Sequence, residues 1–407
     1  MKKLGNILRP SGDKVIWALC IILSAISLVV VYSSIGYTAI TAMHTSPTMA
    51  FAKHVMFVAL AYIVAIATSK IGYQIVSRLG TLLYIGAVAL IFFTMLSGSR
   101  WIPLPLIGRI QPSEIAKIVV LIFTARTLAL YHDKLTDKSL FWATLLPILI
   151  VAGCILPENL STALLVVASG LIVMYLGGVK LKYILGLLAI GLVVGGLGLF
   201  ISYKVFHSDL ADTARNTMLA RAETWSNRVD HFLHPDIDEI SQENLARMAV
   251  ADGGLFKMNI GGTIHARLMT QANNDFIYAI IIEEVGSIPG ILIFLIYTIF
   301  FYRCIMLAYW SGRRFGGLLI LGLGSIIYLQ AIVHMCVCVG AIPVTGQTLP
   351  LISTGGTAYI ITGFAIGLIQ SVAKTTEKKK KAEPATADPP ADPQQQPQPS
   401  TQPIPES

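Results

Sequence analysis

Gln271-Ala272-Asn273-Asn274-Asp275-Phe276-Ile277-Tyr278-Ala279-Ile280-Ile281-Ile282-Glu283-Glu284-Val285-Gly286 is where a long polar loop runs into an apolar helix. A carboxylate at a water–lipid boundary, with two more further along the same apolar segment, is costly in a membrane protein and is kept for function or for helix packing. Asn273, Asn274 and Asp275 are also residue types favoured at helix N-caps. Asp275 therefore reads either as a cap or as a chemical group, and Glu283, eight residues on, falls close to its helical face.

The surrounding composition makes the membrane setting plain. Hydrophobic residues are 55% of the chain and charged residues 13%, against about a quarter charged in soluble domains. Apolar stretches long enough to span predict ten helices, at about 15–35, 53–70, 79–97, 112–130, 140–156, 158–178, 181–203, 276–302, 314–340 and 354–373. The expected fold is an all-α polytopic membrane protein of ten transmembrane helices, with a large outer loop, 204–275, between the seventh and eighth. With the N-terminus inside, 19 of the 30 Lys and Arg fall on inner segments and only Lys53, Arg100 and Arg109 in short outer loops. Both termini are thus expected in the cytoplasm, and the net charge of +8 reflects topology and gives no argument for nucleic acid. Residues 1–14 form the inner N-terminus, 15–373 the membrane domain, and 374–407 a basic, then Pro- and Gln-rich, disordered tail. Lys378 to Lys381 in that tail suit anionic lipid head groups. The first apolar segment lacks a clear small-x-small cleavage site and reads as a retained anchor. The five cysteines give no disulfide or metal spacing and suggest packing. No Walker or dinucleotide motif is present, which argues against an ATP-driven pump.

Polar residues gather at three further places on the outer side. In Gln111-Pro112-Ser113-Glu114-Ile115-Ala116-Lys117, Pro112 suits a first helical position, Gln111 or Ser113 could cap, and Glu114 suits the positive helix end. Lys117 lies one turn deeper, where a lysine costs roughly 2.5–3.5 kcal/mol, so it needs an acidic partner or a wet cavity. Pro157-Glu158-Asn159-Leu160-Ser161-Thr162 reads most simply as turn and cap chemistry. The outer loop carries Trp225 to Asp230 and His234-Pro235-Asp236 as a candidate interfacial piece, then Gly253-Gly254 and Gly261-Gly262. A carboxylate at the boundary, acids below it and Lys117 on another helix would form an outward-open polar cavity, as in transporters and membrane enzymes alike.

Four segments resemble the SEDS family of bacterial membrane proteins that polymerise peptidoglycan strands. Arg100-Trp101-Ile102 with Gln111 to Lys117 is similar to the family's R-W-I…Q-P-S-E-x-x-K. Asn274-Asp275-Phe276-Ile277-Tyr278-Ala279 with Glu283-Glu284-Val285-Gly286 resembles T-D-F-I-F-A…E-E-x-G. Thr348-Leu349-Pro350-Leu351-Ile352-Ser353-Thr354-Gly355-Gly356 resembles T-L-P-x-I-S-Y-G-G, and Arg228 to Pro235 resembles R-[IV]-x-x-F-x-x-P. The chain departs from the pattern at Glu158 and Asn159, where P-D-x-G-T is usual, at Lys257 and Asn259 in place of glycines, and at Thr354 in place of tyrosine. Thr348-Leu349-Pro350 and the long tail resemble the division branch more than the elongation branch.

The resemblance implies a glycosyltransferase that joins lipid II to a growing glycan strand at the septum and releases polyprenyl diphosphate. It implies Asp275 as general base or as holder of a divalent cation, Mg or Mn, and no other cofactor. It implies Lys117, Glu114, Arg100, Trp101, Arg228, Ser353, Gly355 and Gly356 as the substrate-facing set, with Gln111, Pro112, Ser113, Glu283 and Glu284 in support. Arg109 is a further candidate for the diphosphate. The implied partners are a class B penicillin-binding protein, other divisome membrane proteins and membrane lipids, in the bacterial inner membrane. A lipid II flippase or other lipid transporter, with the same charges forming a translocation path, is one alternative; an elongation-type polymerase and a catalytically dead scaffold that recruits division proteins are the others.

Overall fold

A computed structural model of the chain describes residues 11–41, 46–97, 99, 101–104, 108–206, 228, 230, 232–233 and 241–382. Arg100, Trp225 to Asn227, His234 to Asp236 and the Pro/Gln-rich tail from residue 383 lie outside the described residues. The first seven helices are α1 Lys14–Thr41, α2 Pro47–Lys70, α3 Tyr73–Ser97, α4 Pro112–Tyr131, α5 Asp137–Ile155, α6 Leu160–Leu176 and α7 Leu181–Phe206. The outer loop then contributes α8 Gln242–Gly253, α9 His265–Leu268 and α10 Ala272–Asp275, and the chain continues through α11 Ile277–Val285, α12 Ser287–Trp310, α13 Arg314–Cys338 and α14 Thr357–Ala382. Eight of these, α1 to α3, α5, α7 and α12 to α14, are long and apolar enough to cross a membrane. The other two expected spans are α4, which carries Glu114, Lys117 and Arg126, and α6, a 17-residue apolar helix. Helix α4 is packed among α3, α5, α6 and α13, so Glu114 and Lys117 are buried within protein.

The bundle closes where the second and last helices meet. Gly363 and Gly367 face Ala61 and Ala65, a small-xxx-small pairing on both sides. A Cβ at Gly363 would sit on the Ala61 carbonyl oxygen, and one at Gly367 would lie 2.6 Å from the Ala65 carbonyl oxygen. Backbone thus approaches backbone, gaining dispersion contact that larger side chains would hold apart. At the end of the bundle where α1 begins, Arg303 donates to Asp13 Oδ2 through Nε at 3.1 Å and Nη2 at 2.6 Å. Gln370 on α14 accepts from the Asp13 N–H at 2.7 Å and donates to its carbonyl at 3.0 Å. The start of α1 is thus tied to the last turns of α12 and to the second half of α14 by groups that would otherwise sit unpaired near lipid.

Three features differ from the sequence expectation. The eighth span, expected unbroken over 276–302, is interrupted: α11 ends at Val285, Gly286 has φ 93°, and the long helix begins at Ser287. The backbone groups freed by the break are satisfied by the outer loop. Lys257 N–H bonds the Val285 carbonyl at 3.2 Å, Asn259 N–H the Glu284 carbonyl at 2.9 Å, and Ser287 and Ile288 N–H the carbonyls of Gly254 and Leu255, both at 3.0 Å. The break falls at Gly286, between the Glu283-Glu284 pair and Pro289, and the glycine supplies the positive φ. Secondly, the fold is not wholly helical: Ile102–Leu104 (β1) and Gly108–Ile110 (β2) pair antiparallel in a small hairpin leading to Pro112. Thirdly, Gln111 occupies the N-cap position of α4 without a side-chain capping bond, and the Ser113 hydroxyl is buried with no hydrogen-bond partner. Asn159 does cap α6, accepting from the Thr162 N–H at 3.1 Å.

Replacing Gly363 by leucine should overpack the α2–α14 contact and lower stability by about 1–3 kcal/mol, read as a fall in thermal midpoint in detergent. Gly86→Leu, at a position with open space around it, should leave the midpoint unchanged.

Candidate active site

Asp275 is the last residue of the four-residue helix α10, and Phe276, with φ −127° and ψ 16°, separates it from α11. It therefore caps neither helix, and its carboxylate is left for other use. The turn that carries it is clamped by the loop between α13 and α14. Ser353 Oγ donates to the Asn274 carbonyl at 2.7 Å and accepts from the Leu349 N–H at 2.8 Å. Thr354 donates to the Asn273 carbonyl from both N–H and Oγ1, each at 3.1 Å. On the other side Ser34 donates to Asn273 Oδ1 at 2.5 Å. The loop is itself pinned: Ser27 Oγ bonds the Ile352 carbonyl at 2.6 Å, Tyr359 OH the Leu351 carbonyl at 2.7 Å, and Tyr297 OH the Pro350 carbonyl. Leu351 sits at φ 64°, a left-handed backbone that a leucine adopts only when its surroundings impose it.

The Asp275 carboxylate is half-buried beside the exposed Gly346, where even an added Cβ would remain 3.8 Å from Oδ2. Burial pushes its carboxyl up to about 6, partly opposed by the Arg228 guanidinium. Arg228 also donates to the Val344 carbonyl at 3.2 Å, so it stands on the same loop. Arg247, on α8, lies against Gly340 a few residues away and adds a second guanidinium there. Thr345 Oγ1 is buried with no hydrogen-bond partner. The result is a mouth built from one carboxylate, the Arg228 guanidinium, a glycine and the Thr345 hydroxyl.

Lys117 is not part of that mouth. Its ammonium is 2.6 Å from Glu114 and donates to Gln330 Oε1 at 2.8 Å, and the residue is only 5% exposed. Gln330 in turn donates to the Thr348 carbonyl at 2.8 Å. Lys117 and Glu114 thus brace the start of the loop that clamps Asp275. A parallel brace runs from His334 Nδ1 to the Gln347 carbonyl at 2.7 Å, and from Gln347 Nε2 to Thr162 Oγ1 at 2.8 Å. Gln330 and His334 escaped the sequence reading, although two polar residues four apart within an apolar helix are a signal of this kind.

Glu283 and Glu284 are engaged by the outer loop and the first helix. Glu283 Oε1 accepts from the Ile264 and His265 N–H groups at 2.9 and 3.1 Å, and Glu284 Oε1 from Ser33 Oγ at 2.5 Å and Gly261 N–H at 3.2 Å. Both acids anchor the outer loop and the first helix. Ser353 is buried in the clamp, Gly355 packs against Ala358 and Thr348, and Gly356 turns at φ 51° near Phe57. Trp101 is exposed just before the hairpin, and the Arg109 carbonyl accepts from Thr357 Oγ1 at 3.0 Å. The donor set around Asp275 also does not fit a cation held by protein alone. Among the described residues the one cluster of His, Cys, Asp or Glu that could hold a metal is Asp252, His265 and Glu283. The cysteines are all free, as expected of packing residues.

Comparison with known proteins follows this geometry. Residues 13–378 match the family described as cell cycle protein, which groups FtsW, RodA and SpoVE. A probable peptidoglycan glycosyltransferase FtsW of Trichlorobacter lovleyi is 27% identical over 375 residues, 89% of this chain and 93% of that protein. One of Dichelobacter nodosus bearing the same description is 30% identical over 288 residues, 68% of this chain and 67% of its own. Among solved structures, a chain described under structural coordination of polymerization and crosslinking by a peptidoglycan synthase complex superposes with a TM-score of 0.67, at 21% identity and over 90% of this chain and 98% of its own. The rod shape determining protein RodA of Thermus thermophilus gives 0.58 at 22% identity, over 89% and 97%. At these identities the superpositions show a shared fold.

Two stability measurements separate brace from mouth. Lys117→Met should destabilise by about 3–5 kcal/mol, because Glu114 is left buried and unpaired, and adding Glu114→Gln should restore most of the loss. Asp275→Asn should do the opposite. A carboxyl raised from an ordinary 3.8 to about 6 is ionised in the folded protein only at a cost, which is absent below pH 4 and complete above pH 7. The asparagine variant should therefore gain about 1–3 kcal/mol over wild type at pH 8 and nothing at pH 4.

Proposed function

Because the chain belongs to the FtsW, RodA and SpoVE family of cell cycle proteins, we propose that it is a peptidoglycan glycosyltransferase that polymerises lipid II into glycan strands. The observation that carries this reading to a residue is the rigidly held, half-buried Asp275 facing outward beside Arg228. The acceptor is the N-acetylglucosamine 4-hydroxyl of one lipid II, and the donor is the growing strand on its polyprenyl diphosphate. The reaction forms the new C1–O bond, breaks the donor's C1–O bond to diphosphate, and takes the hydroxyl proton to a base. Asp275 is that base. A carboxyl near 6 is ionised at neutral pH yet more basic than an ordinary aspartate, as proton transfer from an alcohol in the transition state requires.

Arg228, with Arg247 behind it, supplies positive charge for the departing diphosphate, which a guanidinium can grip through two N–H groups. Thr345 and the open backbone at Gly346 serve the sugar. Lys117 and Glu114 act at one remove, by fixing Gln330 and through it the Thr348 loop. No step is routed through a cation at Asp275, since the residues around it offer no set of ligands. Energy comes from the activated donor, which accords with a chain lacking any nucleotide motif. The partner is a class B penicillin-binding protein within the division machinery, with both termini of this chain in the cytoplasm and the mouth outside. The similarity to a chain of a peptidoglycan synthase complex supports that assignment.

The test is strand synthesis from lipid II by the purified protein with its transpeptidase. Wild type should make glycan strands, with a rate that halves as pH falls through about 6. Asp275→Ala and Asp275→Asn, at equal yield of folded complex, should lose at least 100-fold in rate. Full activity in both variants would remove Asp275 from the chemistry. Loss of lipid II transport in proteoliposomes with strand synthesis intact would identify a flippase instead.

A further inference from the structure

Asp252, His265 and Glu283 come from three separate segments: the end of α8, the start of α9 and the body of α11. One ligand atom from each lies within 4.8 Å of the others. His265 Nδ1 is 3.0 Å from Glu283 Oε1 and 4.0 Å from Asp252 Oδ2. Ligands about 2.1 Å from a common ion stand about 3.0 Å apart when adjacent and about 4.2 Å apart when opposite, so both distances fit one ion. Glu283 is 3% exposed, and while its Oε1 accepts three donors, its Oε2 is buried with no hydrogen-bond partner. An anionic oxygen buried without a donor calls for a cation. Asp252, with a side chain 53% exposed, keeps a route open to the outer solution and is free to swing inward. Lys257 is near but donates to the Asp252 carbonyl, not to its carboxylate.

We propose that Asp252, His265 and Glu283 form a site for a divalent first-row transition ion, of the Zn(II) or Mn(II) kind, that clips the outer loop to α11. Two carboxylates and an imidazole suit such an ion, and water completes its coordination. The ion takes the place of the direct contact between His265 Nδ1 and Glu283 Oε1. It adds a third tie between the loop and the broken eighth helix, beside the backbone bonds that cross Gly286. It is remote in role from glycosyl transfer, and stands or falls without it.

The full chain, purified in detergent and stripped with chelator, is titrated with Zn²⁺ and with Mn²⁺. Wild type should take up one ion per chain, with a thermal midpoint several degrees above the chelator-treated sample. Bound Mn²⁺ should show nitrogen coupling from one imidazole by pulsed electron paramagnetic resonance. Asp252→Asn, at an exposed position that should fold normally, and His265→Ala should each weaken uptake at least tenfold. His265→Ala should also erase the nitrogen coupling, whereas Asp275→Asn should bind as wild type does. The proposal is overturned if neither ion raises the midpoint, if uptake survives in Asp252→Asn and His265→Ala, or if it is lost in Asp275→Asn.

Discussion

The bonds that Ser353 and Thr354 make to the Asn273 and Asn274 carbonyls are the constraint on which the site depends. They join two loops far apart in sequence and hold the one-turn helix α10 in a place it could not keep alone, since four residues gain too few internal hydrogen bonds. Everything behind the clamp serves to immobilise it. Ser27, Tyr297 and Tyr359 grip the loop backbone from three different helices, and the Lys117–Gln330 and His334–Gln347 braces hold its approach. Side-chain oxygens and amides here do what water does for loops at a soluble surface.

That arrangement also explains the distribution of charge. A lysine, a glutamate, a histidine and two glutamines within one bundle would be ruinous if scattered. Paired as they are, each donor meets an acceptor, and the net contribution to stability is modest. What they confer is geometry, because a polar network has far fewer satisfactory arrangements than an apolar core of equal volume. Asp275 differs from them, since among the described residues no hydrogen bond to its carboxylate is made.

Much of this could be read in the chain before any coordinates. Apolar run lengths identified eight of the spans, because bilayer thickness sets them, and Pro112 and Asn159 were legible as local signals. The interruption at Gly286 was not, since the loop that repairs the freed backbone comes from residues 254–259, distant in sequence. Nor could the sequence tell that Lys117 was already neutralised by Glu114, or that Glu283 and Glu284 turn away from Asp275. Spacing on a helix fixes direction only while the helix continues, and Phe276 breaks it between them. The hairpin at Ile102–Ile110 is too short for any alternation to announce it.

The contact between Gly363 and Ala61 bears on how this protein can change over generations. Where two side chains meet, a gain in volume on one helix can be offset by a loss on the other, and such positions drift as pairs. Here the neighbour of Gly363 is a main-chain carbonyl, which no mutation can shrink. No second substitution at the facing position can rescue a first one. Lineages can therefore alter the faces that α2 and α14 turn to lipid freely, while the seam between them stays fixed, a line of descent with no compensating moves.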